Sequence, residues 1–65
     1  MRFWLKEIRK MKKLTQIDIS EKTQIKQATY CNIENGRRDP SVSLAKRIGE
    51  VLHLNWTLFY EENAS

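Results

Sequence analysis

The sequence predicts an all-α protein, a bundle of five short helices. Three observations carry this. Apolar residues recur at three- and four-residue spacings rather than in alternation. The chain holds only two Gly and one Pro, and no sustained alternating run, so strands are not expected. Helix start and stop signals stand at intervals that suit short helices, with Thr15 as a start, Asn35-Gly36 as a stop and Pro40-Ser41 as the next start.

The first helix is expected from about Phe3 to Lys12. Phe3, Leu5 and Ile8, continued by Leu14, form its apolar stripe, and Trp4 can share a side with Phe3 and Ile8. Arg2, Lys6, Arg9, Lys10, Lys12 and Lys13 crowd the remainder, with Lys12 and Lys13 well placed at a helix end. Trp4 reads as core or as part of a dimer seam. Thr15 caps a second helix, Gln16 to Lys22, with Ile19 facing inward. Thr23, Gln24 and Ile25 make a tight turn. A third helix runs from about Lys26 to Asn35, with Tyr30 and Ile33 inward, and Gly36 supplies a left-handed stop. Neither of these two helices is long enough to stand alone in water. A fourth begins at Pro40 or Ser41 and ends near Leu52, with Val42, Leu44, Ala45, Ile48, Val51 and Leu52 as its apolar set and Ser41 or Ser43 as cap. His53 is expected in a left-handed conformation at its end. Asn55 caps a last helix, Trp56 to Glu62, in which Trp56, Phe59 and Tyr60 are apolar and Leu58 stands at an expected surface position. The core expected from these helices also includes Ile25 and Leu54.

Sixty-five residues make one domain, 1–65, and a chain of that size buries only about 60% of its unfolded surface. A dimer would relieve that marginality. The lone Cys31 excludes an intrachain disulfide and suits a reducing cytoplasm. The charged N-terminus argues against a signal peptide, and no segment has the length of a membrane span.

The net charge is +4, and it is unevenly spread. Residues 1–14 carry six Lys/Arg against Glu7, and residues 37–47 carry four against Asp39. The intervening stretch is slightly acidic through Asp18, Glu21 and Glu34, and the end holds Glu50, Glu61 and Glu62. Basic blocks thus flank the two-helix stretch, as in a protein with one side turned to a polyanion. The outer face of the third helix, Gln27, Ala28, Cys31 and Asn32, is small and amide-rich, and such amides can read base edges. Asp18, Glu21 and Glu34 read as surface or capping charges. Lys46 and Arg47 read as a solvated helix face. The single His53 has no evident nucleophile near it and forms no zinc set with Cys31, and the isolated glycines make no phosphate loop. Neither an enzyme nor a cofactor is expected.

The stretch Thr15 to Gly36 and the residues after it resemble the helix-turn-helix of the Cro/cI-like (XRE) family of bacterial and phage DNA-binding transcriptional regulators. That family's pattern opens with Ser/Thr-Gln, here Thr15-Gln16. It closes with Ile33-Glu34-Asn35-Gly36, followed by the basic Arg37-Arg38 and by Pro40-Ser41. The resemblance spans Leu5 to Glu61. Departures are Thr23-Gln24 where a Leu-Gly pair is usual, Ser20 in place of Ala, Lys26 in place of a Ser/Thr cap, and His53 in place of Gly.

The resemblance implies a bundle of the lambda-repressor-like DNA-binding type, with the motif at the second and third helices. It implies double-stranded DNA as partner and a cytoplasmic, nucleoid-associated location. Gln27, Ala28, Thr29 and Asn32 are expected at base edges in the major groove. Gln16, Lys26, Asn35, Arg37 and Arg38 are expected at phosphates, and Gln16 is also a candidate to hold Gln27. A homodimer on a palindromic operator is expected, joined around Trp56, Leu58 and Tyr60, with Phe3 and Trp4 as the competing seam. The expected function is that of a small repressor. The alternative is a DNA-binding antitoxin or immunity component that also binds a partner protein. A purely protein-binding helical module fits the basic flanks less well.

Overall fold

The helical spacing is realised in five α-helices of the computed structural model, which describes residues 1–61: α1 Phe3–Met11, α2 Gln16–Thr23, α3 Gln27–Glu34, α4 Val42–Leu52 and α5 Leu58–Glu61. No strand occurs among the described residues. α2 packs most extensively on α3 and on α4, and α1 lies against α3. Leu5, Ile19, Tyr30, Ile33, Ala45, Ile48, Leu52 and Phe59 form the buried core. Trp4, Ile8, Leu14, Ile25, Leu44, Val51, Leu54 and Trp56 pack around it. Trp4 meets Phe59 edge-on at 5.1 Å between ring centroids, so α1 and α5 close over one side of the core.

Each helix starts and stops for a local reason. α2 opens with a reciprocal capping box, in which the Thr15 hydroxyl accepts from the Asp18 N–H at 3.0 Å and the Asp18 carboxylate accepts from the Thr15 N–H at 2.8 Å. These hydrogen bonds to Thr15 hold the Asp18 carboxyl below its ordinary pKa. Ser41 caps α4 by accepting from the Leu44 N–H at 3.2 Å. The helix ends rely on left-handed residues. Gly36 takes φ 80° after α3, as the Asn35-Gly36 stop predicts. Lys13, Gln24 and His53 take φ 58°, 61° and 55° after α1, α2 and α4. His53 was expected there, and Gln24 keeps the left-handed turn without the family's usual glycine. Gly49 has a different role, because a Cβ there would meet the Leu54 carbonyl oxygen at 2.9 Å where the chain turns back after α4.

Several expectations need correction. Phe3 is 66% exposed rather than part of the apolar stripe, because it lies two residues before Leu5 and therefore about 200° away around the helix. Val42 is 50% exposed, at the edge of the apolar face in the first turn of α4. The last helix begins at Leu58, not Trp56. Asn55 instead organises a turn before it, accepting from both the N–H and the hydroxyl of Thr57 at 3.1 and 2.8 Å. Glu62, expected to close that helix, lies outside the described residues. No helix among the described residues is long and apolar enough to cross a membrane.

The left-handed side chains give a direct stability test. An L-residue in this conformation costs about 1–2 kcal/mol, whereas glycine there loses about 0.5–1 kcal/mol through chain entropy. Gln24 and His53 are exposed and the fold uses neither side chain. Gln24→Gly and His53→Gly should therefore each raise the unfolding free energy by roughly 0.5–1 kcal/mol in urea titration. A loss of stability in both would show that the side chains hold these turns.

Candidate nucleic-acid interface

α3 is held from beneath and left open above. Tyr30, Ile33 and Glu34 are buried on its inner side. With about 100° between successive residues, Ala28 and Asn32 point most directly away from them, flanked by Cys31 and Thr29. Gln27 and Ala28 are exposed in the first turn, and Thr29, Cys31 and Asn32 are half-buried. The side chains of Gln27 and Asn32 make no hydrogen bond among the described residues, so their donors and acceptors stay available. Lys26 stands at the N-cap with extended backbone and no side-chain cap bond, which leaves the first N–H groups of α3 open.

The inner side is fixed by an ion pair that the sequence reading assigned to the surface. Glu34 is only 1% exposed. Arg9 of α1 grips its carboxylate with both Nε and Nη2, at 2.9 and 3.1 Å. Gln16 of α2 donates to the same carboxylate at 3.3 Å. Arg9 also donates from Nη1 to the Leu14 carbonyl at 2.8 Å, which ties down the link between α1 and α2. Burial pushes the Glu34 carboxyl upward. Hydrogen bonding from Arg9 and Gln16, with the charge of Arg9, outweighs that and holds it below its ordinary pKa. The Arg9 guanidinium is correspondingly held above its usual value by its bonds to Glu34. Burial and the nearby Glu34 charge push the Tyr30 phenol strongly upward. Its hydroxyl lies among these charges without a hydrogen bond of good geometry.

The turn between α2 and α3 is braced from α4. Arg47 is exposed, as expected of a solvated helix face, and it also donates to the Thr23 carbonyl at 3.1 Å, at the end of α2. Lys46 is exposed as well, with its ammonium over the Trp56 ring at 5.2 Å. Ser20 is buried, its hydroxyl donating back to the Ile17 carbonyl at 2.7 Å, so the polar replacement for Ala is satisfied within its own helix.

The sequence-predicted residues therefore separate. Lys26, Gln27, Ala28, Thr29 and Asn32 share α3 and its start, and the exposed Arg37 and Arg38 follow its end. The N–H groups of Arg37 and Arg38 both donate to the Asn32 carbonyl, at 2.9 and 3.3 Å, so the basic pair is tied to the helix. Asn35 turns its amide to the Cys31 sulfur at 3.3 Å. Gln16 holds Glu34 rather than Gln27, although its amide nitrogen carries a second N–H. The residues named for a seam face different ways. Leu58 lines an apolar groove of about 260 Å³ with Trp4, Ile8 and Glu61. Trp56 packs edge-on with Tyr60 at 6.1 Å, and the Tyr60 hydroxyl donates to the Pro40 carbonyl at 2.9 Å. Among the described residues no cluster of His, Cys, Asp and Glu could hold a metal ion.

Sequence reasoning missed Arg9, Glu34, Arg2 and Arg47. The family motif contains Glu34, but its burial depends on an arginine distant in sequence, for which periodicity has no signal.

Comparison with known proteins agrees with this architecture. The helix-turn-helix family profile matches residues 5–59. The chain is 48% identical over 62 residues to an uncharacterized HTH-type transcriptional regulator of Bacillus subtilis (strain 168), YqaF, covering 95% of this chain and 82% of that protein. No solved structure matches the chain significantly.

The buried pair predicts a pH dependence with a definite sign. The folded pKa of Glu34 lies below its unfolded value of about 4.3, so its stabilisation is present above that value and is lost as pH falls through the folded pKa. Glu34→Gln should remove this part of the acid sensitivity. It should also cost about 3–5 kcal/mol at neutral pH, because Arg9 then stays buried without its counter-charge. Urea titrations at pH 7 and pH 3 measure both effects, and equal losses at the two pH values would contradict the assignment.

Proposed function

The chain belongs to the helix-turn-helix family of DNA-binding transcriptional regulators, and we propose that it is a small dimeric repressor that reads a palindromic operator in the major groove with α3. One observation carries this reading. The outer side of α3 offers an unengaged amide on Asn32 and a small Ala28, and Gln27 exposes a second unengaged amide in the first turn, between exposed Lys26 at one end and Arg37 and Arg38 at the other. Gln or Asn can pair in bidentate fashion with adenine, and the Ala28 methyl can meet a thymine methyl. Thr29, half-buried beside them, can bond a base edge or an adjacent phosphate. Lys26, Arg37, Arg38 and the second N–H of Gln16 suit phosphates, which set register without reading sequence. Asn35 joins them if its amide leaves the Cys31 sulfur. The protein acts by binding, without catalysis.

Dimerisation supports the same reading. One short helix covers few base pairs and discriminates poorly among the competing sites of a genome. Two copies about a two-fold axis would read half-sites about 10–10.5 bp apart, or a multiple of that spacing. The seam we favour centres on Leu58. Its groove also includes Ile8 and Trp4, the latter one of the two residues of the competing N-terminal seam. Trp56 and Tyr60 would lie at its border.

Gln27→Ala should cost about 1–3 kcal/mol at the cognate site and relax preference at one base pair. Arg37→Ala should weaken binding to all sequences alike and lower the salt slope by about one. Selection from a random DNA pool followed by titration measures both, and an unchanged preference in Gln27→Ala would remove α3 from base reading.

The seam is tested by light scattering at micromolar concentration, on wild type and Leu58→Glu. We expect a dimeric wild type and a monomeric variant, because a carboxylate in an apolar seam is left unpaired. A wild type that is monomeric both free and on DNA would refute the dimer, and a dimeric Leu58→Glu would move the seam.

A further inference from the structure

We propose that Arg2 is a positioning residue for the phosphate contacts of Arg37 and Arg38, fixing their loop and cancelling the charge of Asp39 beside them. This rests on the DNA-binding reading above.

Arg2 precedes α1 and is distant in sequence from that loop, yet it is only 4% exposed. Its backbone N–H donates to the Glu34 carbonyl at 2.8 Å. Its Nη1 donates to the Ile33 and Arg38 carbonyls, the latter at 3.0 Å, and its Nη2 donates to the Asp39 carboxylate. The guanidinium carbon stands 5.7 Å from the centre of the Phe59 ring, which backs the group with the core. One planar cation thus spans the last turn of α3 and both ends of the Arg38–Asp39 step. A lysine could not match this, having a single point of charge rather than a fork.

The loop needs such support. Gly36 turns the chain at φ 80°, and the following residues up to Pro40 lie outside any helix. Arg37 and Arg38 are exposed, and their side chains make no ion pair among the described residues. Asp39, 66% exposed at its side chain, would repel a nearby phosphate if its charge stood alone. Paired with Arg2 from the core side, it leaves Arg37 and Arg38 as the net charge presented outward. Arg2 itself is too buried to reach a phosphate.

The experiment compares wild type, Arg2→Gln, Arg2→Lys and Arg2→Gln/Asp39→Asn, with affinity for selected and for random DNA measured across salt concentrations. Loss of one or two phosphate contacts lowers the salt slope by about one or two and affinity by about five- to thirtyfold near 0.15 M salt. We expect that loss in Arg2→Gln on both DNAs alike, with base preference unchanged. Asp39→Asn should restore at least part of it, which a purely structural role for Arg2 would not produce. Arg2→Lys should fall between wild type and Arg2→Gln. An unchanged slope in a folded Arg2→Gln, or no rescue by Asp39→Asn, would overturn the proposal while leaving DNA binding intact. Should circular dichroism find Arg2→Gln unfolded, Arg2→Lys carries the test, and wild-type slope and affinity in it overturn the proposal. A wild type that binds neither DNA overturns both this proposal and the reading beneath it.

Discussion

The buried ion pair between Arg9 and Glu34 is the interaction on which the arrangement of the first three helices depends. Glu34 sits in the last turn of α3, Arg9 comes from α1, and Gln16 from the first turn of α2 completes the set. Removing two such charges from water is costly, and only close geometry with additional hydrogen bonds offsets the cost. Here the carboxylate accepts three hydrogen bonds, and the guanidinium also reaches the Leu14 carbonyl. A pair of this kind tolerates little displacement. It therefore sets the position of α3 more sharply than non-directional apolar contacts around Tyr30 and Ile33 can.

That rigidity serves the opposite side of the helix. α3 has only eight residues and would not persist alone. Its inner side is anchored by the directed bonds of Glu34, while Gln27 in the first turn and Asn32 on the outer side keep theirs unused. Arg47 closes the carbonyl end of α2, and Arg2 does the same for α3. Three arginines are thus committed to the scaffold. Arg2 and Arg9 are each paired with a carboxylate, so the net charge of +4 is carried by the remaining residues, the exposed Lys26, Arg37 and Arg38 among them.

Stability and turn geometry conflict at the helix ends. Lys13, Gln24 and His53 adopt a conformation that glycine would take with less strain. The fold keeps all three because the segments on either side are anchored. Arg9 holds the Leu14 carbonyl, Arg47 the Thr23 carbonyl, and the Leu54 N–H bonds the Gly49 carbonyl at 3.0 Å. Local backbone preference is overridden by bonds that bracket each turn.

The sequence by itself determined what depends on neighbours within about one helical turn. The spacing of Ile19, Tyr30, Ile33, Ile48 and Leu52 specifies which sides of the helices are apolar, and Thr15, Ser41 and Gly36 mark starts and a stop. The outward set on α3 was legible for the same reason, since it is what remains once the inward residues are assigned. Tertiary structure decided the fate of the charged residues. Nothing local distinguishes Arg9 from Lys10, or Glu34 from Glu21, because the energy of a charge depends on the partner that the fold brings to it. Those partners are 25 residues apart for Arg9 and Glu34, and 37 apart for Arg2 and Asp39. Phe3 and Leu58 obey the same physics. Hydrophobicity says that each side chain favours burial, but the turn of α1 that points Leu5 inward points Phe3 into water, and only the packing of α1 near α5 turns Leu58 toward Trp4.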